Sequence, residues 1–162
     1  MLDIFVDADA CPVKHEIERV ANRHGLTVTM VSNGGMRPSA HPRFHHVTVG
    51  GGADAADDWI AEHIAMFDIA VTTDVPLAFR CLEKGASAIG PSGKLFTQEN
   101  IGMALGMRDL NRHLREATGQ QTFHSGFSRQ DRSRFLAALE NEIAAVKRRI
   151  AASANKPEAG PE

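Results

Sequence analysis

Short, mostly apolar runs alternate along the chain with longer segments in which apolar residues recur every three or four positions. Runs of the first kind are typical of strands buried in a sheet, and the second spacing is typical of helices that bury one face. The apolar runs predict five strands, near residues 3–7, 27–31, 45–49, 68–72 and 86–89. Strands that alternate with helices over short links indicate a mostly parallel sheet with helices on both faces, a three-layer α/β/α sandwich.

Glycines and capping residues mark the ends of the predicted helices. Gly25 and Gly85 stand where helices over 13–24 and 77–84 should stop, and a third helix should begin at Asp54. Thr97 can cap a helix that continues through 105 and on towards 114. A long helix is expected over 129–149, with its apolar stripe towards the core.

Length and composition fit a single domain over residues 1–150, followed by a disordered tail at 151–162 whose composition is small and polar. The chain has 43% apolar and 23% charged residues, and it has no apolar run long enough to span a membrane. The first strand begins at once, which leaves no room for a signal peptide, and two cysteines make no disulfide framework. We therefore expect a cytoplasmic protein.

Acidic residues follow three of the predicted strands. Asp7 and Asp9 close the first strand, Asp54 and Asp57 open the helix after the third, and Asp74 closes the fourth. The carboxyl ends of parallel strands and the amino ends of the following helices share one edge of a sheet, so these acids can converge on one pocket. Asp58 should point away from the others and be solvated.

Several carboxylates in one pocket repel each other unless a cation screens them. Oxygen ligands suit Mg²⁺ or Mn²⁺, which can activate water and hold a phosphodiester in line. The alternative is that Asp9 and Asp54 only cap helices, where acids are favoured in any case. The histidines offer a rival metal site, but His41, His45 and His46 lack zinc-ligand spacing and fit surface positions.

Charge is unevenly distributed. Residues 1–79 carry eleven acidic against five basic residues, and residues 80–162 carry nine against thirteen. Lys14, Arg37, Lys94 and Arg108 are candidates to contact a nucleic-acid backbone near the acidic pocket. For the basic residues of the later helices, Arg108 among them, a solvated helix face is an equally good explanation.

With these residues assembled, the chain resembles the YaiI/YqxD family, which has a PIN-like, NYN-related nuclease fold. The matching segments are V-D-A-D-A-C-P-V-K at 6–14, D-A-A-D-D at 54–58, V-T-T-D-V-P-L-A at 71–78, P-S-G-K-L-F-T-Q-E-N-I at 91–101, M-R-D-L at 107–110 and Q-D-R-S-R-F at 130–135. The resemblance implies acids at the sheet edge that bind Mg²⁺ or Mn²⁺ and cut RNA. By position, Asp7, Asp57 and Asp74 match the catalytic acids best, with Asp9 and Asp54 in support.

Three functions remain open at this point. The first is a metal-dependent ribonuclease that uses Asp7, Asp9, Asp54, Asp57 and Asp74 as metal ligands. The second is a non-catalytic RNA-binding or adaptor domain with the same fold. The third is a phosphatase of the haloacid-dehalogenase type, in which Asp7 and Asp9 would act as nucleophile and acid. Neither the substrate nor the oligomeric state follows from the sequence.

Overall fold

The computed structural model describes residues 2–34, 41–52, 54–103, 105–106 and 127–155. Six strands form one sheet, in the spatial order β3-β2-β1-β4-β5-β6. The strands are β1 (Asp3–Asp7), β2 (Thr27–Ser32), β3 (Phe44–Thr48), β4 (Ile69–Val71), β5 (Ser87–Ile89) and β6 (Leu95–Phe96). The first five are parallel to their neighbours, as predicted, and β6 adds an antiparallel edge that the sequence did not predict.

Four labelled helices pack on this sheet. They are α1 (Lys14–His24), α2 (Ala55–His63), α3 (Val75–Glu83) and α4 (Arg129–Ala154). Residues 98–103 are also helical, and the Thr97 hydroxyl caps this segment by accepting a hydrogen bond from the Asn100 N–H at 3.1 Å. The predicted continuation towards residue 114 lies outside the described residues.

Helices α1 and α4 cover one face of the sheet. Ile17 and Val20 of α1 and Phe135, Leu139 and Ile143 of α4 are fully buried in one cluster with apolar side chains of β1, β2, β4 and β5. The opposite cluster contains Ile60 of α2 and Leu77, Ala78 and Cys81 of α3, packed against the other side of the same strands. Helices therefore lie on both faces, which confirms the α/β prediction.

The long helix α4 begins at a capping box and runs farther than expected. The Ser128 hydroxyl accepts from the Asp131 N–H, and the Asp131 carboxylate accepts from the Ser128 N–H. The helix continues to Ala154, beyond the domain boundary predicted at residue 150. Residues 156–162 of the predicted tail lie outside the described part of the chain. None of the helices in that part is both long enough and apolar enough to cross a membrane.

The order of the strands places a crevice beside β1. The chain fills the sheet outwards from β1 through β2 to β3, and then returns through α2 to place β4 on the other side of β1. Connections from neighbouring strands therefore leave in opposite directions between β1 and β4. Open α/β sheets bind ligands at this reversal, outside the carboxyl ends of the strands. Asp7 and Asp74 follow those two ends.

Candidate active site

Thr72 joins the two strands that flank the reversal. The pairing of Val6 with Val71 brings the next residues, Asp7 and Thr72, side by side. The Thr72 hydroxyl donates to Asp7 Oδ2 at 3.1 Å and accepts from the Asp74 N–H at 3.0 Å. Thr72 is only 2% exposed, and the two hydrogen bonds of its buried hydroxyl orient the Asp7 side chain and the backbone at Asp74.

Asp74 caps helix α3. Its backbone is extended, and its Oδ1 accepts a hydrogen bond from the Leu77 N–H at 2.8 Å. Pro76 fits in the first turn of α3 because a proline lacks the N–H that would be unsatisfied there. The carboxylate is thus fixed at the amino end of a helix, where a negative charge is favoured.

Asp57 reaches the same place from the first turn of α2. Burial of the carboxyl group raises the pKa of Asp57 to about 7, and the negative charges of Asp74, Asp7 and Asp54 act in the same direction. A hydrogen bond between the Asp57 and Asp74 side chains also favours the protonated form of Asp57. Three carboxyl groups from β1, α2 and α3 therefore face one another.

The pKa of Asp7 is raised for similar reasons. Burial has the largest effect, the hydrogen bond from Thr72 opposes it, and the charges of Asp74 and Asp9 raise the pKa further. The charge of Asp74 thus contributes to the raised pKa of both Asp7 and Asp57, as expected of groups at a shared site.

A cleft of about 300 Å³ opens beside these acids. Its lining consists of Asp54, Asp57, Asp58, Asp74, Pro76, Leu77 and Arg80. Asp54 is exposed and makes no side-chain hydrogen bond to the end of α2, so the predicted cap is wrong there. Asp58 is exposed, as expected, and its Oδ1 pairs with Arg80 Nη1 at 2.8 Å.

Arg80 and Thr72 were not among the site residues predicted from the sequence. Arg80 is one of many charged residues on amphipathic helices, and only the packing of α3 beside α2 brings it to the cleft. Thr72 is a β-branched residue at the end of a strand, which is common for packing reasons alone. The T-T-D sequence before α3 is the one local signal that a hydroxyl could support the acid.

Asp9 lies on the other side of β1. It is part of a 3-10 turn at Ala8–Ala10, and its Oδ2 accepts from the Asn33 N–H at 2.9 Å, at the end of β2. It does not cap α1, whose N-cap residue is Val13 and has no side-chain cap bond. Asp7 therefore accepts a hydrogen bond from the β4 side and Asp9 from the β2 side.

Two of the four predicted nucleic-acid contacts can be located. Lys14 is the first residue of α1 and is partly buried, and Lys94 is exposed in the turn between β5 and β6. Both segments follow the carboxyl end of a parallel strand, so they lie at the same edge of the sheet as the acids. Arg37 and Arg108 lie outside the described residues.

The donor set suits a hard cation, although its ligand geometry is not already formed. Carboxylate and hydroxyl oxygens are the ligands that Mg²⁺ and Mn²⁺ prefer. Direct contact between Asp57 and Asp74 is unfavourable when both are charged, and a bound cation would relieve it. Across the residues that the structure describes, however, no three His, Cys, Asp or Glu side chains already form a metal-binding group.

Comparisons with known proteins place the chain in a family. The model described as "Uncharacterized BCR, YaiI/YqxD family" matches residues 5–145. The chain belongs to the YaiI/YqxD family. A "UPF0178 protein" of Parvibaculum lavamentivorans is 57% identical over 149 residues, which cover 92% of this chain and 98% of the relative. For a "UPF0178 protein" of Rhodospirillum rubrum the identity is 55% over 148 residues, with 91% and 99% covered.

These matches extend over nearly the whole YaiI/YqxD chain and include the segments that supply Asp7, Asp57 and Asp74. No solved structure matches the chain. The names of the relatives state no activity.

Proposed function

We propose that this YaiI/YqxD protein is a metal-dependent ribonuclease that hydrolyses phosphodiester bonds at the acidic cleft. The observation that carries the proposal is the convergence of three acids at the carboxyl ends of β1 and β4. Thr72 hydrogen-bonds both the Asp7 side chain and the Asp74 N–H, and Asp57 lies close enough to both acids for their charges to raise its pKa. Carboxylates held against one another at a ligand-binding edge have a high affinity for a cation, because binding removes their repulsion. The PIN-like resemblance supports the same activity.

Asp7, Asp57 and Asp74 would hold Mg²⁺ or Mn²⁺, with Asp9 and Asp54 as outer supporting acids. The bound ion would supply a water of lowered pKa and stabilise the leaving oxygen. The protein's own groups prepare this site. Thr72 orients Asp7, and the first turn of α3 holds Asp74. Arg80 lies on the wall of the cleft and can balance the charge of a phosphate that enters it.

The proposal predicts that Mn²⁺ stabilises the protein through these carboxylates. Ligand at one hundred times its Kd should add about 2.7 kcal/mol to the free energy of unfolding. We expect this gain for the parent and for Glu62→Gln, which removes an exposed carboxylate on the same helix. Asp57→Asn and Asp74→Asn should lose most of it. The measurement is thermal unfolding with Mn²⁺ and with EDTA.

Cleavage of a labelled single-stranded RNA, with Mn²⁺ and with EDTA, tests turnover in the same set. Parent and Glu62→Gln should cut the RNA, and Asp57→Asn and Asp74→Asn, purified identically, should not. Equal cleavage by all four proteins would indicate a contaminating nuclease. If Mn²⁺ stabilises the two Asn variants as much as the parent, these carboxylates are not the metal site and the proposal fails.

A non-catalytic RNA-binding domain is the second candidate. It is favoured by the lack of a preformed metal-ligand group in the described residues. On this hypothesis the protein binds RNA with an affinity that falls with salt, and it leaves the RNA intact with either metal ion.

A further inference from the structure

Three basic residues lie at the same edge of the sheet as the acidic cleft, on its β5–β6 side. They are Lys94 in the turn after β5 and Arg129 and Arg134 in the first two turns of α4, and we call them the cationic ledge. All three are exposed. Two strand spacings, roughly 10 Å, separate β1 from β5. Because α4 packs on the face of the sheet opposite α2 and α3, an RNA strand would reach the ledge from the cleft by crossing the carboxyl edge of the sheet.

The turn at 90–94 lies between the end of β4 and the ledge. The Gly90 N–H donates to the Lys94 carbonyl at 2.8 Å, and a Cβ at Gly90 would lie 3.9 Å from the carbonyl oxygen of Thr72. At the other side of the turn, Gly93 has a φ of +92°, and a Cβ there would come within 2.8 Å of the Arg134 backbone. The turn therefore packs between the end of β4 and the start of α4.

Arg132 holds the start of α4 against α1, and within the described part of the chain the ledge residues are not engaged in strong ion pairs. Its Nη1 donates to the Pro12 carbonyl at 2.7 Å and lies 3.3 Å from Glu16 Oε1, and its guanidinium lies over the Phe127 ring. Arg134 has an exposed contact of 3.6 Å with Asp131, whose carboxylate is already engaged by Ser128. Such an exposed pair contributes little. In the described residues, Arg129 and Lys94 have no ion pair.

Resting on the proposed function, we infer that single-stranded RNA leaves the acidic cleft across the 90–94 turn, with its phosphates on the cationic ledge. An acidic cleft alone repels a polyanion, and adjacent cations are needed to hold the strand. The ledge supplies such cations beyond the 90–94 turn, which packs from the end of β4 to the start of α4. Since the ledge is remote from the scissile bond, it should affect binding of the strand and leave the chemical step unchanged.

The test compares two double variants with the same loss of charge. Arg129→Gln/Arg134→Gln removes most of the ledge. Arg19→Gln/Arg148→Gln removes two exposed helical arginines from elsewhere. Binding of a labelled single-stranded RNA is measured by fluorescence anisotropy over a salt series with Ca²⁺ in place of the catalytic ion. Each lost phosphate contact should lower the log–log salt slope by about 0.7, so the ledge variant should lose about 1.4 and the control almost nothing.

Cleavage kinetics separate the ledge from the cleft. With Mn²⁺, the ledge variant should raise KM for the long strand several-fold with kcat retained, and it should cut a dinucleotide as well as the parent does. An unchanged salt slope in the ledge variant, or an equal fall in the control variant, overturns the inference that RNA binds at the ledge. In that case, if the parent cuts the RNA and Asp57→Asn does not, the proposed function is still supported. A parent that neither binds nor cuts RNA overturns both.

Discussion

Removing the charge of Asp57 should stabilise the metal-free protein at neutral and alkaline pH. The carboxyl group has a pKa of about 7 in the folded chain, against an ordinary value of 3.8, because it is buried and faces Asp74 and Asp7. Folding therefore opposes ionisation of this group. Asn is close to Asp in shape, carries no charge, and keeps an N–H that can donate to Asp74.

The size and the pH range of the effect follow from proton linkage. Well below pH 3.8 the group is protonated in both the folded and the unfolded state and has no effect on stability. As the pH rises towards 7, the unfolded chain releases the proton while the folded chain keeps it, so stability falls. The difference between a pKa of 3.8 in the unfolded chain and about 7 in the folded chain corresponds to a loss of about 4 kcal/mol in the free energy of unfolding. Asp57 borders an open cleft, where solvent screens the interactions of its charge. The expected change in the free energy of unfolding is therefore about 1–2 kcal/mol.

Urea unfolding in EDTA at pH 5 and pH 8 measures this difference. Asp57→Asn should be more stable than the parent by about 1–2 kcal/mol at pH 8, and by roughly a third of that at pH 5. Asp58→Asn is the matched control, because Asp58 is exposed, pairs with Arg80 and is not among the charges that raise the pKa of Asp57. Equal stabilisation by both variants, or none by Asp57→Asn at pH 8, would refute the reasoning that burial and the facing carboxylates oppose ionisation of Asp57.

Three further predictions concern the Thr72 hydroxyl and the acids that precede helices α2 and α3. Thr72→Val keeps the shape of the side chain but leaves Asp7 Oδ2 and the Asp74 N–H without their partner. Thermal unfolding should therefore show that the free energy of unfolding falls by about 1–3 kcal/mol. Thr72→Ser, which retains the hydroxyl, should recover most of that loss. Asp74→Ala removes the cap of α3 and should be about 1 kcal/mol less stable than Asp74→Asn in EDTA, since Asn caps as well as Asp. Asp54→Ala should change stability by only a few tenths of a kcal/mol. A loss at Asp54 as large as that at Asp74 would contradict the assignment of the cap.

Much of the fold could be predicted because burial leaves a periodic pattern. The strands that became β1 to β5 were found within one or two residues, and α4 was found through the spacing of Phe135, Leu139 and Ile143. The antiparallel strand β6 was missed because two residues, Leu95 and Phe96, carry no periodicity. It forms only because the turn after β5 folds back and lets Phe96 pair with Ala88.

Single side chains in the site were harder to predict than its location. Asp7 and Asp9 are two residues apart and have the same chemistry, yet Asp7 accepts a hydrogen bond from Thr72 after β4 and Asp9 from Asn33 after β2. Asp54 and Asp74 both precede helices, but only Asp74 accepts a hydrogen bond from the helix. These differences depend on the neighbouring strands and on backbone dihedral angles, which no local pattern encodes.

The sequence by itself determined the element order, the parallel sheet and the acids at the ends of its strands, because hydrophobic periodicity and turn residues act locally. Tertiary structure alone decided that β4 returns to the other side of β1, and this return brings Asp7, Asp57 and Asp74 together. It also placed Thr72 beneath two of these acids and Arg80 beside the cleft. Such contacts join residues far apart in the chain, and their energies arise only when the sheet assembles.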